Sequence, residues 1–190
     1  MKFAVLATAL VGITACAPFA LAQTTNVGTP DGTTGAIQTA DWHGVKGTIE
    51  IKAPAQDVWN AVHKERANDP DISYSKVLQQ KGNRILLEQK FAALPVIGEA
   101  TCLMVQEETP MKRIDYKLVR SDKFKDMAGS WILTATPNGT TTLELYSLLD
   151  TGMPYSQGVI NAILQDKINK RLCRVKAAAE QNSHQKISSF

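Results

Sequence analysis

The sequence has few of the residues and patterns that metalloproteins, nucleic-acid-binding proteins and serine hydrolases need. It holds only three cysteines and three histidines in 190 residues, and none of them forms a CxxC, HxxxH or HExxH pattern. No metal site and no cofactor is therefore predicted. The formal net charge of +3 is too small to indicate nucleic-acid binding, and no G-x-S-x-G elbow occurs. What remains is the composition of an ordinary globular domain, with 44% hydrophobic and 21% charged residues.

Acidic residues are absent from the first thirty positions, and this end of the chain is typical of a secretion signal. Lys2 supplies one positive charge, residues 3–15 are uncharged and largely apolar, and the small residues Ala20 and Ala22 follow. The apolar run is shorter than the ~20 residues of a transmembrane helix. The pattern predicts a cleaved signal peptide over residues 1–22 and export of the protein to the periplasm or the cell exterior.

A second processing site overlaps the first. The residues Ile13-Thr14-Ala15 before Cys16 resemble a bacterial lipobox, whose use would end the signal peptide at residue 15 and place a lipid on Cys16. Residues 23–42 are polar, rich in glycine and threonine, and without periodicity, which is typical of a flexible leader. The sequence leaves open a soluble protein or a membrane-anchored lipoprotein.

Removal of the signal leaves Cys102 and Cys173 as the cysteines of the folded domain. An oxidising compartment favours a disulfide between two such residues, provided that their geometry allows it. Cys173, however, lies off the apolar stripe of its helix, so the sequence leaves open whether Cys102 and Cys173 pair.

From residue 43 onward, apolar residues alternate in short runs that are separated by turn signals. Two-residue alternation is the pattern of half-buried strands, and short turns between successive strands favour antiparallel pairing. The runs predict seven strands in a meander, at residues 43–52, 72–80, 84–93, 97–108, 112–120, 127–136 and 140–150.

Two helices complete the domain. The first begins at Pro54, which favours the first position of a helix, and ends before Asn68. The second runs from Pro154 to about Gln181 and is amphipathic. The prediction is an α+β domain over residues 43–182, in which a seven-stranded antiparallel sheet packs on the long C-terminal helix. A loose tail is predicted for residues 183–190.

The long helix carries an apolar stripe and a basic stripe. The apolar stripe predicts contact with the sheet. The basic stripe is interpreted as a solvated face, with contact to anionic lipid head groups as the alternative. Its members are Lys167, Lys170, Arg171 and Arg174.

The order of elements resembles the helix-grip fold of the START-like (SRPBCC) superfamily. Three local patterns are similar to its polyketide cyclase and coenzyme Q-binding branch: Ala53-Pro54 followed by Val58-Trp59, Gly129-Ser130-Trp131, and Gly152-x-Pro154. The resemblance covers residues 43–181. It implies a curved sheet around the helix, with a cavity between them for lipids, sterols, quinones or aromatic compounds.

The inward rows of the strands and the apolar stripe of the helix supply the candidate wall of this cavity. Residue parity identifies the face of a strand but not the depth, so each candidate can equally belong to the core. The candidates are Ile85, Leu87, Phe91, Tyr116, Leu118, Trp131, Leu133, Leu164 and Ile168.

Two polar residues, Gln89 and Arg120, fall on the same apolar rows. Burial of either residue without a partner is unfavourable, so each one reaches solvent at a strand end or orients the polar head of a ligand. The loop at residues 123–127 is apolar beside its lysines and predicts a lid, a membrane contact or a plug of the sheet.

Three functions fit this arrangement. The favoured hypothesis is an exported, monomeric carrier of a hydrophobic small molecule, with contact to a membrane surface as an additional property. The alternative is an enzyme of the cyclase, dehydratase or hydrolase type, and the third is a protein-interaction module whose cavity is filled by its own side chains. The carrier is favoured because the inward rows contain no histidine and no clear carboxylate pair for acid–base catalysis.

Overall fold

A computed structural model describes residues 44–94 and 98–187. The predicted signal peptide, Cys16 and the polar leader lie outside the described residues, as do residues 188–190. The elements in chain order are β1 (Val45–Ile51), α1 (Ala55–Ala67), β2 (Ile72–Lys81), β3 (Arg84–Leu94), β4 (Gly98–Thr109), β5 (Arg113–Ser121), β6 (Asp126–Ala135), β7 (Thr141–Asp150) and α2 (Gln157–Ile187). The predicted α+β helix-grip architecture, with seven antiparallel strands and a long C-terminal helix, is confirmed.

The sheet is a meander for six of its seven strands. Strands β2 to β7 lie beside one another in chain order, but β1 pairs with β7, so that the spatial order is β1-β7-β6-β5-β4-β3-β2. The register joins Val45 to Ser147 and Ile51 to Thr141. The prediction of an unbroken seven-stranded meander is therefore wrong for β1. The connection through α1 carries the chain from one edge of the sheet to the other.

Helix α2 is longer than predicted at its C-terminal end. It begins at Gln157, three residues after Pro154, and continues to Ile187, so that residues 183–187 of the predicted loose tail are helical. No glycine or proline occurs after Gly158 to end the helix. At ~1.5 Å per residue its 31 residues span about 46 Å. Neither helix of the described chain combines the length and the apolar character that a membrane crossing requires.

Helix α2 lies against one edge of the sheet. Its closest approaches are to β1, β7 and α1. A Cβ atom on Gly47 of β1 would lie 2.4 Å from Ile168 Cγ2 and 2.7 Å from Leu172 Cδ1, so only glycine permits this contact. Gly47 therefore fixes how closely the middle of α2 approaches the sheet.

Two core clusters result from this one-sided packing. The first cluster joins α1, β1, β5, β6 and β7 to the middle and the C-terminal part of α2, and it includes Val58, Trp131, Leu145, Ile168 and Leu172. The second cluster joins β3, β4 and β5 to the start of α2, and it includes Leu87, Met104, Leu118, Phe124 and Ile160. The sheet is thus covered by two separate groups of side chains rather than by one.

The possible disulfide between Cys102 and Cys173 is not formed. Cys102 is a free, fully buried thiol on β4, and its Sγ lies 3.4 Å from Ser121 Oγ. It belongs to the second cluster, whereas Leu172, the neighbour of Cys173, belongs to the first. The Cys102 thiol is instead enclosed by the second cluster and lies against the Ser121 hydroxyl.

We expect Cys102 to resist thiol reagents in the folded protein. Burial raises the pKa of its thiol, and the reactive species is the thiolate. Alkylation with iodoacetamide, followed by digestion and peptide mass analysis, should leave the Cys102 peptide unmodified until urea is added. Modification of that peptide within minutes under native conditions would contradict the burial described here.

Candidate functional site

A cavity of about 110 Å³ lies where the two core clusters meet. For scale, an engineered apolar cavity of ~150 Å³ accommodates benzene, so this volume suits one aromatic ring or a short alkyl chain. Both clusters contribute to its apolar wall, which consists of Ile72, Phe91, Met104, Tyr116, Phe124, Met127, Trp131, Leu145, Leu149, Leu164 and Ile168.

Six of the predicted site residues line this cavity: Gln89, Phe91, Tyr116, Trp131, Leu164 and Ile168. Gln89 is buried, and its side-chain amide donates to Ser75 Oγ at 3.2 Å. The other apolar candidates are core residues. Leu87 and Leu118 lie within the second cluster, Ile85 packs against it, and Leu133 lies within the first.

Arg120 lies outside the cavity because β5 contains a bulge. The register pairs Leu118 with Met104 and Arg120 with Leu103, which leaves Val119 as an extra residue. One extra residue reverses the alternation of side chains along a strand. Arg120 therefore points away from the row of Tyr116 and Leu118 and is exposed. Arg120 thus reaches solvent and does not lie where it could orient the polar head of a ligand in this cavity.

The polar end of the cavity was missed by sequence reasoning. It is formed by Arg66 and Asp69 near the end of α1, by Asp71, and by Lys167 and Arg171 of α2. Lys167 Nζ lies 2.6 Å from Asp71 Oδ2, and Arg171 Nη2 lies 3.2 Å from Asp69 Oδ2. The signal that could have found it is the acidic group between residues 65 and 71, which complements the basic stripe of α2.

The interpretation of the basic stripe as a solvated face is wrong for two of its members. Lys167 and Arg171 face the cavity and the carboxylates of the segment after α1. Lys170 is solvated, with 64% of its side chain exposed, and pairs with Asp166 one turn away. Arg174, the fourth member, is partly exposed and bonds to the buried Glu65, so Lys170 alone is a fully solvated member of the stripe.

Glu65 anchors α1 to α2 through two arginines. Its side chain is only 4% exposed, and it accepts hydrogen bonds from Arg171 Nε at 3.1 Å and Arg174 Nη2 at 2.8 Å. Arg171 also lies over the ring of Trp131, with its Cζ 5.0 Å from the ring centroid. Burial by itself would lower the pKa of Arg171, but the Glu65 and Asp69 carboxylates raise this pKa overall. Arg171 is thus a largely buried charge that is paired with two carboxylates.

Arg66 is less well compensated. Its Nη2 donates to Gln106 Oε1, while its Nη1 lies 3.9 Å from Glu108 Oε1, which is beyond hydrogen-bond distance. Burial, and secondarily the positive charge of Arg171, lower the pKa of Arg66 to about 10. The guanidinium is therefore charged at neutral pH while it lies at the wall of a largely apolar cavity.

Two aromatic residues on neighbouring strands define the middle of the cavity wall. Tyr116 of β5 pairs with Gly129 of β6, and a Cβ atom on that glycine would lie 2.1 Å from the Tyr116 hydroxyl oxygen. Trp131 is completely buried, and its indole Nε1 has no hydrogen-bond partner in the described part of the chain. Ser130, which lies between Gly129 and Trp131 in the sequence, points to the opposite face of the sheet. Its hydroxyl donates to Asp115 and accepts from Arg113. The Gly129-Ser130-Trp131 pattern therefore serves to accommodate Tyr116 and to place the indole at the cavity.

The described residues offer no group of side chains that could bind a metal ion. Within residues 44–94 and 98–187, no three His, Cys, Asp or Glu side chains lie together in a geometry for a metal ion. The carboxylates at the polar end are bonded to arginine and lysine instead.

Comparisons with known proteins relate the chain to others by fold only. No protein-family model and no curated protein matches its sequence. A START superfamily protein from Mycobacterium smegmatis superimposes with a TM-score of 0.59 at 14% identity, over 76% of this chain and 99% of that one. An aromatase/cyclase from Streptomyces sp. R1128 gives a TM-score of 0.57 at 14% identity, over 76% and 95% of the two chains.

A third solved structure has the same arrangement in one part of a larger protein. The di-domain ARO/CYC from the steffimycin biosynthetic pathway gives a TM-score of 0.58 at 16% identity, over 74% of this chain and 52% of that one. The present chain therefore has a START-like helix-grip fold, with a cavity at the position where sheet and long helix diverge.

Proposed function

We propose that this protein binds a hydrophobic small molecule in the cavity between sheet and α2, and that it carries this molecule without converting it. The observation that supports the proposal is a mainly apolar cavity at the junction of two core clusters. Burial of apolar surface contributes roughly 25 cal/mol per Å², so a ligand that buries ~200 Å² gains about 5 kcal/mol before the cost of association. A cavity of this kind is the usual form of a small-molecule site.

The ion pairs around the cavity favour a carrier over an enzyme. General acid–base catalysis needs a titratable group that is available to the substrate. The carboxylates at the polar end are already bonded to cations: Glu65 to Arg171 and Arg174, and Asp71 to Lys167. These carboxylates are thereby engaged as structural partners of the cations rather than left available to a substrate.

An aromatase/cyclase-like enzyme is the second candidate. The fold similarity to an aromatase/cyclase supports it, together with the hydroxyl of Tyr116 and the guanidinium of Arg66 on the cavity wall. If the protein is such an enzyme, Tyr116→Phe should abolish turnover of a poly-β-ketone substrate, whereas a carrier would show no turnover in either form.

We also propose that the protein is exported and acts as a monomer in or beyond the cell envelope. The N-terminal sequence supports export, and the choice between residue 22 and Cys16 as the cleavage point decides whether the protein is soluble or lipid-anchored. Expression of the full chain in a Gram-negative bacterium, followed by gentle purification and mass spectrometry, tests export and cargo together. A mature N-terminus at Gln23 or a lipidated Cys16, with a stoichiometric hydrophobic molecule, is expected. An uncleaved chain would contradict export, and a protein without cargo that also fails to bind added ligand would contradict the carrier.

A larger side chain at Leu164 should block the cavity. Leu164 lies on the cavity side of α2, and Leu164→Trp places an indole in the space that a ligand would occupy. We expect the affinity for 4-phenylbutan-1-ol, measured by calorimetry, to fall about tenfold or more, which corresponds to ~1.4 kcal/mol. The matched control is Val159→Trp, one to two turns earlier on the same helix, where half of the side chain is exposed. Equal binding by both variants would contradict this location of the site.

A further inference from the structure

Two donors at the cavity, one fully buried and one half-buried, have hydrogen-bonding capacity that no described residue uses. The indole Nε1 of Trp131 is buried without a partner among the described residues. The guanidinium of Arg66 carries five N–H donors, and over residues 44–94 and 98–187 it forms one hydrogen bond, to Gln106. Both residues line the same cavity. Since buried donors are nearly always satisfied in folded proteins, the unpartnered N–H of Trp131 indicates an acceptor that belongs to a ligand, and Arg66 supplies further donors at the same cavity.

We propose that the ligand is an amphiphilic carboxylic acid, with an aromatic or short alkyl body in the apolar part of the cavity and its carboxylate at Arg66 and Trp131. This inference rests on the proposed function and specifies the ligand class for the same site. An ionised carboxylate has two acceptor oxygens and forms stronger hydrogen bonds with a guanidinium than a neutral acceptor does. A cavity of about 110 Å³ limits the enclosed part of the body to about one ring.

The other charges at the polar end direct the carboxylate to Arg66. Arg171 is occupied by Glu65 and Asp69, and Lys167 is occupied by Asp71. The carboxylate nearest to Arg66 is Glu108, which accepts from the Gln106 amide and faces His63 at 3.7 Å. Arg66 is therefore the cation at this cavity that has no carboxylate within hydrogen-bond distance, among the residues that the structure describes.

Calorimetry with a matched pair of probes tests the proposal. The probes are 4-phenylbutanoate and 4-phenylbutan-1-ol, which share their apolar body and differ in the head group. At pH 7.5 we expect the carboxylate to bind about tenfold or more tightly than the alcohol. In Arg66→Gln this preference should disappear, with the affinity for the alcohol little changed. Arg120→Gln is the matched control, because Arg120 is exposed on β5 and does not line the cavity.

Two further variants keep the test decisive if Arg66→Gln fails to fold. Trp131→Phe retains an aromatic ring but removes the N–H, and it should weaken carboxylate binding severalfold without affecting the alcohol. Arg66→Lys keeps the charge but loses the planar fork, and it should retain only part of the preference. Equal binding of both probes to the wild type would overturn the carboxylate inference and leave the proposed function intact. Failure of both probes to bind would overturn the proposed function itself.

Discussion

Replacement of Glu65 by alanine is expected to lower the free energy of unfolding by about 3–5 kcal/mol. Glu65 is buried, and it receives three hydrogen bonds from Arg171 and one from Arg174. Its removal leaves the buried guanidinium of Arg171 with Asp69 as its remaining carboxylate partner in the described structure. A buried charge that loses its main partner keeps its desolvation penalty, which accounts for the size of the effect. Urea unfolding followed by circular dichroism measures it.

The control for Glu65 is an ion pair of the same chemistry on the surface. Asp166 and Lys170 lie one turn apart on α2 with most of both side chains exposed, and Asp166→Ala should change the free energy of unfolding by less than about 0.5 kcal/mol. Glu65→Gln, which keeps the shape and one acceptor oxygen, should fall between the two variants. A loss below about 1 kcal/mol for Glu65→Ala would show that water or a rearranged Asp69 compensates Arg171 in solution.

Most of the strands could be predicted because their sequence alternation is local. Each strand turns one face inward, so parity identifies the face on which Phe91, Tyr116 and Trp131 lie at the cavity. Parity does not give the depth, and Leu87 and Leu118 of the same rows are core residues. Edge pairing is not local: nothing within β1 itself determines that it pairs with β7 rather than with β2. The bulge at Val119 could not be predicted from the β5 sequence either, because it arises from the pairing of β5 with β4. Parity alone therefore predicts the wrong row for Arg120.

The polar end of the site could not be derived from one element at a time. Lys167 and Arg171 have the spacing of a solvated helix face, and their inward position depends on carboxylates about one hundred residues earlier in the chain. The desolvation of such residues is compensated only when both partners meet in the folded state. A search for complementary charge between α1 and α2 would have identified these pairs. The incomplete compensation of Arg66 is visible only in three dimensions, because its distance from Glu108 is set by the sheet.

Gly129 should be among the least replaceable residues of the sheet, and Gly129→Ala is expected to lower the free energy of unfolding by about 3 kcal/mol. The new Cβ would lie 2.1 Å from the Tyr116 hydroxyl oxygen and 2.5 Å from the backbone oxygen of Tyr146. The tyrosine ring can rotate away, but the Tyr146 carbonyl belongs to the β6–β7 ladder and can move only with the strand. Urea unfolding measures the loss.

The matched control for Gly129 is a glycine in open space. Gly158 lies in the first turn of α2, and a Cβ atom added to it would have no heavy atom closer than 4.0 Å. Gly158→Ala should therefore raise the stability by up to about 1 kcal/mol through helix propensity. If Gly129→Ala were as stable as the wild type, β6 and β7 would have to separate readily to admit the methyl group. The sheet would then not hold the cavity wall rigidly.

The same substitution should also reduce ligand binding, because a Tyr116 ring that rotates away from the new methyl group would enter the cavity. Gly129→Ala should therefore weaken the binding of 4-phenylbutan-1-ol in the fraction that remains folded, whereas Gly158→Ala should leave it unchanged. Calorimetry without urea measures the binding of 4-phenylbutan-1-ol to both variants, and circular dichroism gives the folded fraction of each. A loss of stability with undiminished binding would instead show that Tyr116 moves away from the cavity, so that its ring is not needed as part of the wall.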